Sequence, residues 1–419
     1  MSSGPPCQAL FQSDAVFVGT VKSIGTVTES EPNQAGYERR LVTFSVERAV
    51  RGIDGGTVAV RTGQGGGDCG FNFQEGRRYI VYAYRHPQGW LSAGICSRTR
   101  LLSEAAEDLA FIDTMPASGS GGRVSGTINH RESDPATGGS VEHGPVADVQ
   151  VLVRGPRGTF SAMTDATGKY SVTSIPVGAY ELEVLPPANF STRYLQRKIE
   201  IKDARACQVV DFSLRFDGRI RGTLLDTTGR TVAGVRIDVV PAARPLELSS
   251  VYPPNPISDA AGRFELVDIP PDQYLVGVGL KPQMDAEVAF TPTYYPGTPE
   301  LSAAQAIEIG QGGNVDLGVL RLPEPLRAHR LTGIVVMRDG TPVHKANVAL
   351  YSTRGTQAAM GISTDEQGRF TFRVHEGLSY SVRAFFNVSA QPVMQQIYAT
   401  QTISIKGPPE PVRLVLTPR

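Results

Sequence analysis

The sequence predicts an all-β protein of several domains, an OB-type barrel with one C-terminal helix followed by three tandem immunoglobulin-like β-sandwiches. Three observations carry that prediction. From Gly122 onward one pattern is read three times, at a period long enough to be a domain. Short runs of Val, Ile and Leu alternate with polar residues at period two, as expected of strands with one buried face. Forty-five glycines and 30 prolines punctuate the 419 residues without a collagen-like or low-complexity period, which is the composition of many turns between short strands.

Each copy of the repeat opens on a strand with a central glycine: Val124-Ser-Gly-Thr-Ile128, Ile220-Arg-Gly-Thr-Leu224 and Leu331-Thr-Gly-Ile-Val335. A turn and a second alternating strand follow, ending at Val151, Ile237 and Val348. The third element is a [Thr/Ser]-Asp-x-x-Gly-[Lys/Arg]-aromatic heptad, Thr164 to Tyr170, Ser258 to Phe264 and Thr364 to Phe370. Its aspartates, Asp165, Asp259 and Asp365, are placed to accept backbone N–H groups within a turn, and Gly168, Gly262 and Gly368 to take a positive φ without a Cβ clash. A fourth element puts an aromatic at the head of an alternating strand: Tyr180, Tyr274 and Tyr380. The heptad aspartates are 94 and 106 residues apart, the length of a seven-stranded sandwich. The expected division is 1–115 for the barrel, 116–122 for a flexible joint, and 123–216, 217–323 and 328–419 for the sandwiches.

The order and spacing of these elements resemble the carboxypeptidase regulatory-like domain, a transthyretin- or prealbumin-like sandwich found in secreted bacterial proteins. The resemblance implies spacer, adhesion or accessory carbohydrate-binding-like roles, with no catalysis in the modules themselves.

Residues 1–115 share none of the repeat. Asp14 to Lys22, Leu41 to Val50, Gly52 to Val60, Arg78 to Tyr84 and Trp90 to Ile95 read as strands. Ser103 to Asp113 reads as the single helix, with Ser103 as its cap and Ala105, Leu109 and Ile112 on one face. The run Ser-Asp-Ala-Val-Phe-Val-Gly-Thr-Val, with Cys69-Gly-Phe-x-Phe-x-x-Gly76, Tyr79-Ile-Val-Tyr82 and Gly94-Ile-Cys96, resembles the netrin-like domain of tissue inhibitors of metalloproteinases. In that family an N-terminal Cys-x-Cys is tied by disulfides to cysteines placed like Cys69 and Cys96. Here that tripeptide is missing and Cys7 resembles the family's next cysteine, so the resemblance implies a longer precursor with a signal peptide. Within the chain as given, Cys7 is expected to pair with Cys69 or Cys96, one thiol being left over, and Cys207 to be a buried thiol. Because family inhibitors chelate zinc through an N-terminal cysteine, metalloproteinase inhibition is a minor expectation.

Other chemistry is sparse. Six histidines (His86, His130, His143, His329, His344 and His375) show no His-Glu-x-x-His or comparable spacing, and no metal or cofactor site is expected. His130 and His143 share an acidic loop, Asn129 to Gly144, that reads as solvated surface. Gly63-Gln-Gly-Gly-Gly-Asp68 lacks the Gly-Lys-Ser/Thr ending of a phosphate loop, there is no Gly-x-Ser-x-Gly elbow, and no catalytic residue is assigned. The 41 basic and 41 acidic residues cancel, which argues against nucleic acid as a partner. No apolar run is long enough to span a membrane as a helix. Among Tyr79, Tyr82, Tyr84 and Trp90 most are expected in the core, with an exposed subset able to stack on sugars. Tyr252, Tyr294 and Tyr295, on proline-stiffened segments of the second sandwich, are the best candidates for a binding patch, with packing of their loops the favoured alternative. The expected function is a secreted, periplasmic or envelope-associated binding or scaffold protein, with a protein or polysaccharide partner. The alternatives are an inhibitor-like regulator and an accessory carbohydrate- or peptide-binding subunit of a secreted enzyme system.

Overall fold

The structure, a computed structural model, describes residues 4–29, 37–134, 137–243, 256–281, 288–353, 358–390 and 393–417. Its described residues are all-β apart from two short α-helices and single 3-10 turns. None of these helices is long and apolar enough to cross a membrane. The chain divides into two compact units. The first comprises Met1–His130, His143–Pro187 and Thr192–Leu214; the second comprises Arg131–Glu142, Ala188–Ser191 and Arg215–Arg419.

In the first unit the N-terminal strands β1 (Ala15–Glu29), β2 (Tyr37–Arg51), β3 (Thr57–Thr62), β4 (Arg78–Arg85), β5 (Leu91–Ser92) and β6 (Arg100–Leu101) form one sheet. The order β1-β2-β3-β5-β4 is closed by pairing of β1 with β4, so the sheet is a barrel. Strands β3 and β5 run parallel and the other neighbours antiparallel. Irregular register in β1 at Val16/Phe17, Val18/Gly19 and Val21/Ser23 supplies the coiling that closure requires. Phe17, Phe44, Phe73, Tyr79 and Val81 fill the interior, with Phe17–Phe44 and Phe44–Phe73 meeting edge to face at 5.3 and 5.2 Å.

The alternate residues of β1 and β4 (Val16, Val18, Ile80 and Tyr82) are also buried, beneath α1 (Pro6–Gln12) and α2 (Ala106–Thr114). That second layer explains why these two strands read as nearly continuous apolar runs. Helix α1 was not expected. Pro6 lies in its first turn, where the missing N–H is no loss. Helix α2 begins at Ala106, three residues later than the sequence predicts, because Leu102–Glu104 forms a 3-10 turn; Ser103 makes no cap hydrogen bond.

The first repeat copy builds two sheets from β7 (Gly122–Ser133), β8 (Ser140–Pro145), β9 (Gln150–Gly155), β10 (Gly158–Met163), β11 (Lys169–Ile175), β12 (Gly178–Leu185), β13 (Gln196–Ile201), β14 (Cys207–Val209) and β15 (Phe212–Leu214). One has the order β10-β9-β12-β13; the other has β11-β7-β14, with β8 and β15 also paired to β7. Strand β7 takes β11 antiparallel and β14 and β15 parallel.

In the second unit the same plan recurs. Arg219–Leu225 pairs antiparallel with Arg263–Leu266 and parallel with Asn314–Arg321. Ala328–Val336 does so with Arg369–His375 and Val412–Val415. The facing sheet of the third copy runs Ala358–Ser363, Asn347–Ser352, Ser379–Ala390, Val393–Ser404. Its core draws Leu331, Phe370 and Leu414 from one sheet and Val348, Val382 and Ile397 from the other, the arrangement of a β-sandwich.

Candidate functional site

The heptad forms the turn that its residue types predict, in all three copies. Asp165 Oδ1 accepts N–H bonds from Thr167 and Lys169 at 2.8 and 3.0 Å; Asp259 does so from Ala261 and Arg263, and Asp365 from Gln367 and Arg369. Gly168, Gly262 and Gly368 hold φ of 71°, 73° and 72°. The Oδ1 atoms that a cation would use are therefore engaged by backbone donors. The Thr167 hydroxyl and the turn N–H groups hold the Asp165 carboxyl below the usual aspartate range; for Asp259 the leading cause is the Arg263 N–H.

Two roles in the repeat were not anticipated. Thr164, Ser258 and Thr364 are buried, and each hydroxyl accepts a backbone N–H, from Val149, Val235 and Ala346, while donating to Val146, Val232 and Val343. The central glycine of the first strand lies directly opposite the heptad aromatic: Gly126 faces Tyr170, Gly222 faces Phe264 and Gly333 faces Phe370. A Cβ on Gly222 would stand 2.9 Å from the Phe264 ring, and one on Gly333 would run into Phe370. The two most regular residues of the repeat are thus a single cross-strand pair, with the ring laid over the bare backbone.

The proposed tyrosine patch is corrected by burial. Tyr294 is 8% exposed and packs with Val240 and Leu275, and Tyr295 is half-buried against the core of the second copy. Tyr252 lies outside the described residues. The prolines there stiffen segments that pack inward.

The cysteine assignment is corrected as well. Cys7 pairs with Cys207, 200 residues away, with a Cα separation of 5.4 Å. Neither Cys69 nor Cys96 is its partner; both carry free thiols and are exposed. Helix α1, invisible to the strand reading, puts Cys7 against β14. Around the disulfide, Gln8 accepts the Val209 N–H at 2.8 Å and Gln12 donates to Gln208 at 3.0 Å. Among the described residues β14 has no strand beyond it in its sheet, and it is thereby covered by a helix and covalently held.

The strongest candidate site is a concavity of 410 Å³ on the barrel, lined among others by Tyr37, Arg39, Arg61, Asp68, Cys69, Tyr84, His86, Trp90 and Cys96. The hairpin between β4 and β5 is tight: His86 donates its N–H to Trp90 and Gly89 donates to His86, both at 2.8 Å. That turn stacks the His86 ring on Trp90 at 4.0 Å and 5°. From the neighbouring β3, Arg61 places its guanidinium 4.0 Å from the Trp90 centroid. Two groups at that distance from one centroid cannot share a face, so Trp90 is covered on both sides. Arg39 lies 5.0 Å from the Tyr37 ring, and Tyr84 is 40% exposed. The loop 63–70 also lines the hollow, through Gly63, Asp68 and Cys69. Asp68 organises it by accepting N–H groups from Gln64, Gly65 and Gly70, which hold its carboxyl below the usual range, the Gln64 contact foremost. Cys69 follows in the left-handed region, at φ 59°.

No protein-family model matches the chain, and no curated protein matches it. Among solved structures, the TIE protein of Bacillus anthracis is similar over 97% of this chain and 69% of its own, at 12% identity and a TM-score of 0.22. A streptococcal ancillary pilin is similar over 71% of this chain and 99% of its own, at 13% identity and a TM-score of 0.25. For BcpA, the major pilin subunit of Bacillus cereus, the figures are 71%, 99%, 9% and 0.20. With likeness that low, the all-β assignment rests on the strand pairing itself.

Of the barrel aromatics named from sequence, Tyr79 and Tyr82 are core, 2% and 0% exposed, while Tyr84 and Trp90 reach the concavity. The arginines were not anticipated. The signal for them was available in the alternation of β3, which sends Arg61 outward between Val60 and Thr62, both buried.

Proposed function

We propose that the chain is a non-catalytic, exported or envelope-associated binding and scaffold protein, in which a netrin-like barrel is the interaction head and sandwiches of carboxypeptidase regulatory-like type are the stalk. The disulfide between Cys7 and Cys207 supports an oxidising compartment. The division into a barrel and three sandwich modules belongs to the same reading.

The observation that carries it is the make-up of the barrel concavity. Arginine, tyrosine and tryptophan dominate binding hot spots between proteins, and here Arg39, Arg61, Tyr37, Tyr84 and Trp90 converge on one hollow beside short polar groups. A sugar-stacking platform needs an open aromatic face. Trp90 offers none, which favours a protein or peptide partner over a polysaccharide.

A pull-down from envelope and culture fractions, run beside a glycan array, tests this with native protein, Arg61→Ala and Trp90→Ala. The expected result is a protein partner retained by the native chain and lost by both variants, with a blank array. Capture undiminished by both substitutions, or binding on the array alone, would overturn the reading.

A further inference from the structure

We propose that His130 and His143 form a two-histidine site for a divalent late transition ion, of the copper, nickel and zinc group, across the hairpin of β7 and β8. The inference draws on neither the barrel concavity nor the cysteines.

The segment 129–144 reads from sequence as a solvated loop, yet it belongs to a hairpin in which β8 pairs with β7. Near its base the Val146 N–H donates to the Ile128 carbonyl at 2.9 Å, and near its tip the Asp134 N–H donates to the Gly139 carbonyl at 2.8 Å. His130 and His143 lie between those two bonds on facing strands. Their rings meet, with centroids 4.6 Å apart and planes at 22°. The spacing of the two residues along the chain fits no ligand motif, so only pairing of the strands brings them together.

The separation suits a shared ion. A metal–imidazole bond of about 2.0–2.1 Å puts each ring centre roughly 3 Å from the ion, so two rings at neighbouring corners have centres roughly 4.4–5 Å apart. The stacked rings converge on one point by turning about Cβ–Cγ, a torsion with a broad minimum in histidine. Because that axis runs through the ring, the centres barely move. His143 is exposed and His130 partly so, which gives an ion access.

The donors set the class of ion. The acidic residues of the segment are engaged elsewhere: Glu142 by Arg131 at 2.9 Å, Asp134 by the Thr137 hydroxyl and Glu132 by the Phe216 N–H, both at 2.6 Å. Among the described residues no set of three or more His, Cys, Asp or Glu is placed to hold a metal, so water would fill the remaining positions. Two imidazole nitrogens suit copper, nickel and zinc, with copper held tightest. Calcium and magnesium call for oxygen ligands and would not compete. A bound ion would pin the two strands at mid-hairpin.

Calorimetric titration of the full chain with nickel tests this, Cys69 and Cys96 being alkylated first so that thiolate contributes nothing. The native chain is expected to take up nickel at a single site that calcium does not fill. Either His130→Ala or His143→Ala should weaken it roughly tenfold or more, since the second donor acts at high effective concentration. Hydrogen exchange on adding nickel should slow in β7 and β8 of the native chain and in neither variant. Circular dichroism checks that the variants fold, and the exposed His143 carries the test if replacing His130 disturbs β7. Nickel affinity unchanged in a folded variant, no uptake by the native chain, or protection confined to other strands would each overturn the proposal.

Discussion

A glycine facing an aromatic ring fixes the repeat at single-residue resolution. At Gly333 an added methyl would meet the Phe370 ring and come within 2.7 Å of the Val412 carbonyl, so the ring and both flanking strands must shift together. Gly333→Ala is expected to cost about 1–3 kcal/mol, the range for overpacking, read as a lowered melting temperature. Gly168→Ala acts by another route: φ is 71°, and its Cβ would stand 2.5 Å from the Ile128 carbonyl. Its cost should exceed about 1 kcal/mol, with equal melting in calcium and in chelator.

The turn aspartates also set an acid limit. Because Asp165 and Asp259 have folded pKa values lowered relative to the free residue, their contribution is present above the ordinary aspartate range and is lost as pH falls below it. Asp165→Asn should remove that contribution, lowering stability on the neutral side and leaving the acid side nearly unchanged, so that the profile flattens, which acid titration followed by circular dichroism checks. The heptad turns were legible because Asp and Gly act locally through backbone groups a few residues away. The burial of Tyr294 agrees with the packing alternative, but proline content alone does not give it, since it reports the stiffness of a segment and not which side of it faces the core.

At the scale of elements, the strands were legible and their coverings were not. Periodicity locates β1 and β4, but their doubly apolar faces imply a second layer without saying what supplies it. Helix α1 is seven residues long, too short for a periodic signal, yet it carries the residue that sets the disulfide. Helix α2 is held by a polar contact that no amphipathic pattern reveals: Asp108, fully buried, accepts the Tyr82 hydroxyl and the Arg98 Nε, both at 2.6 Å. Arg98 is itself buried and also donates to the Gly4 carbonyl. Replacing Asp108 by alanine leaves that buried guanidinium with only the exposed Glu107 as a charge partner and takes the acceptor from the buried Tyr82 hydroxyl. A loss of about 3–5 kcal/mol is expected. Hydrogen exchange should rise in α2 and β4 first, and less so in Asp108→Asn, which keeps an acceptor.

For the whole molecule, the decisive arrangement is where the sulfur lies. The fold class and threefold repeat follow from spacing alone, because each copy must bury its own pair of sheet faces. The allocation of cysteines depends on contacts 200 residues apart, which no local pattern encodes. All four cysteines, Cys7, Cys69, Cys96 and Cys207, fall in the first compact unit, while the second, with sandwich cores such as that around Leu331, Phe370 and Val382, has none. A cross-link closing a loop of that length restricts the unfolded chain by up to about 5 kcal/mol on the chain-entropy model. That restriction acts only where unfolding frees the bonded residues. Calorimetry of the full chain with and without reductant is therefore expected to show one transition moved to lower temperature and another left in place. Cys7→Ser should reproduce the shift without reductant and be insensitive to further reduction. Equal displacement of every transition would mean that the two units unfold as one, and no displacement would mean that the bond adds nothing to the docking of α1 on β14.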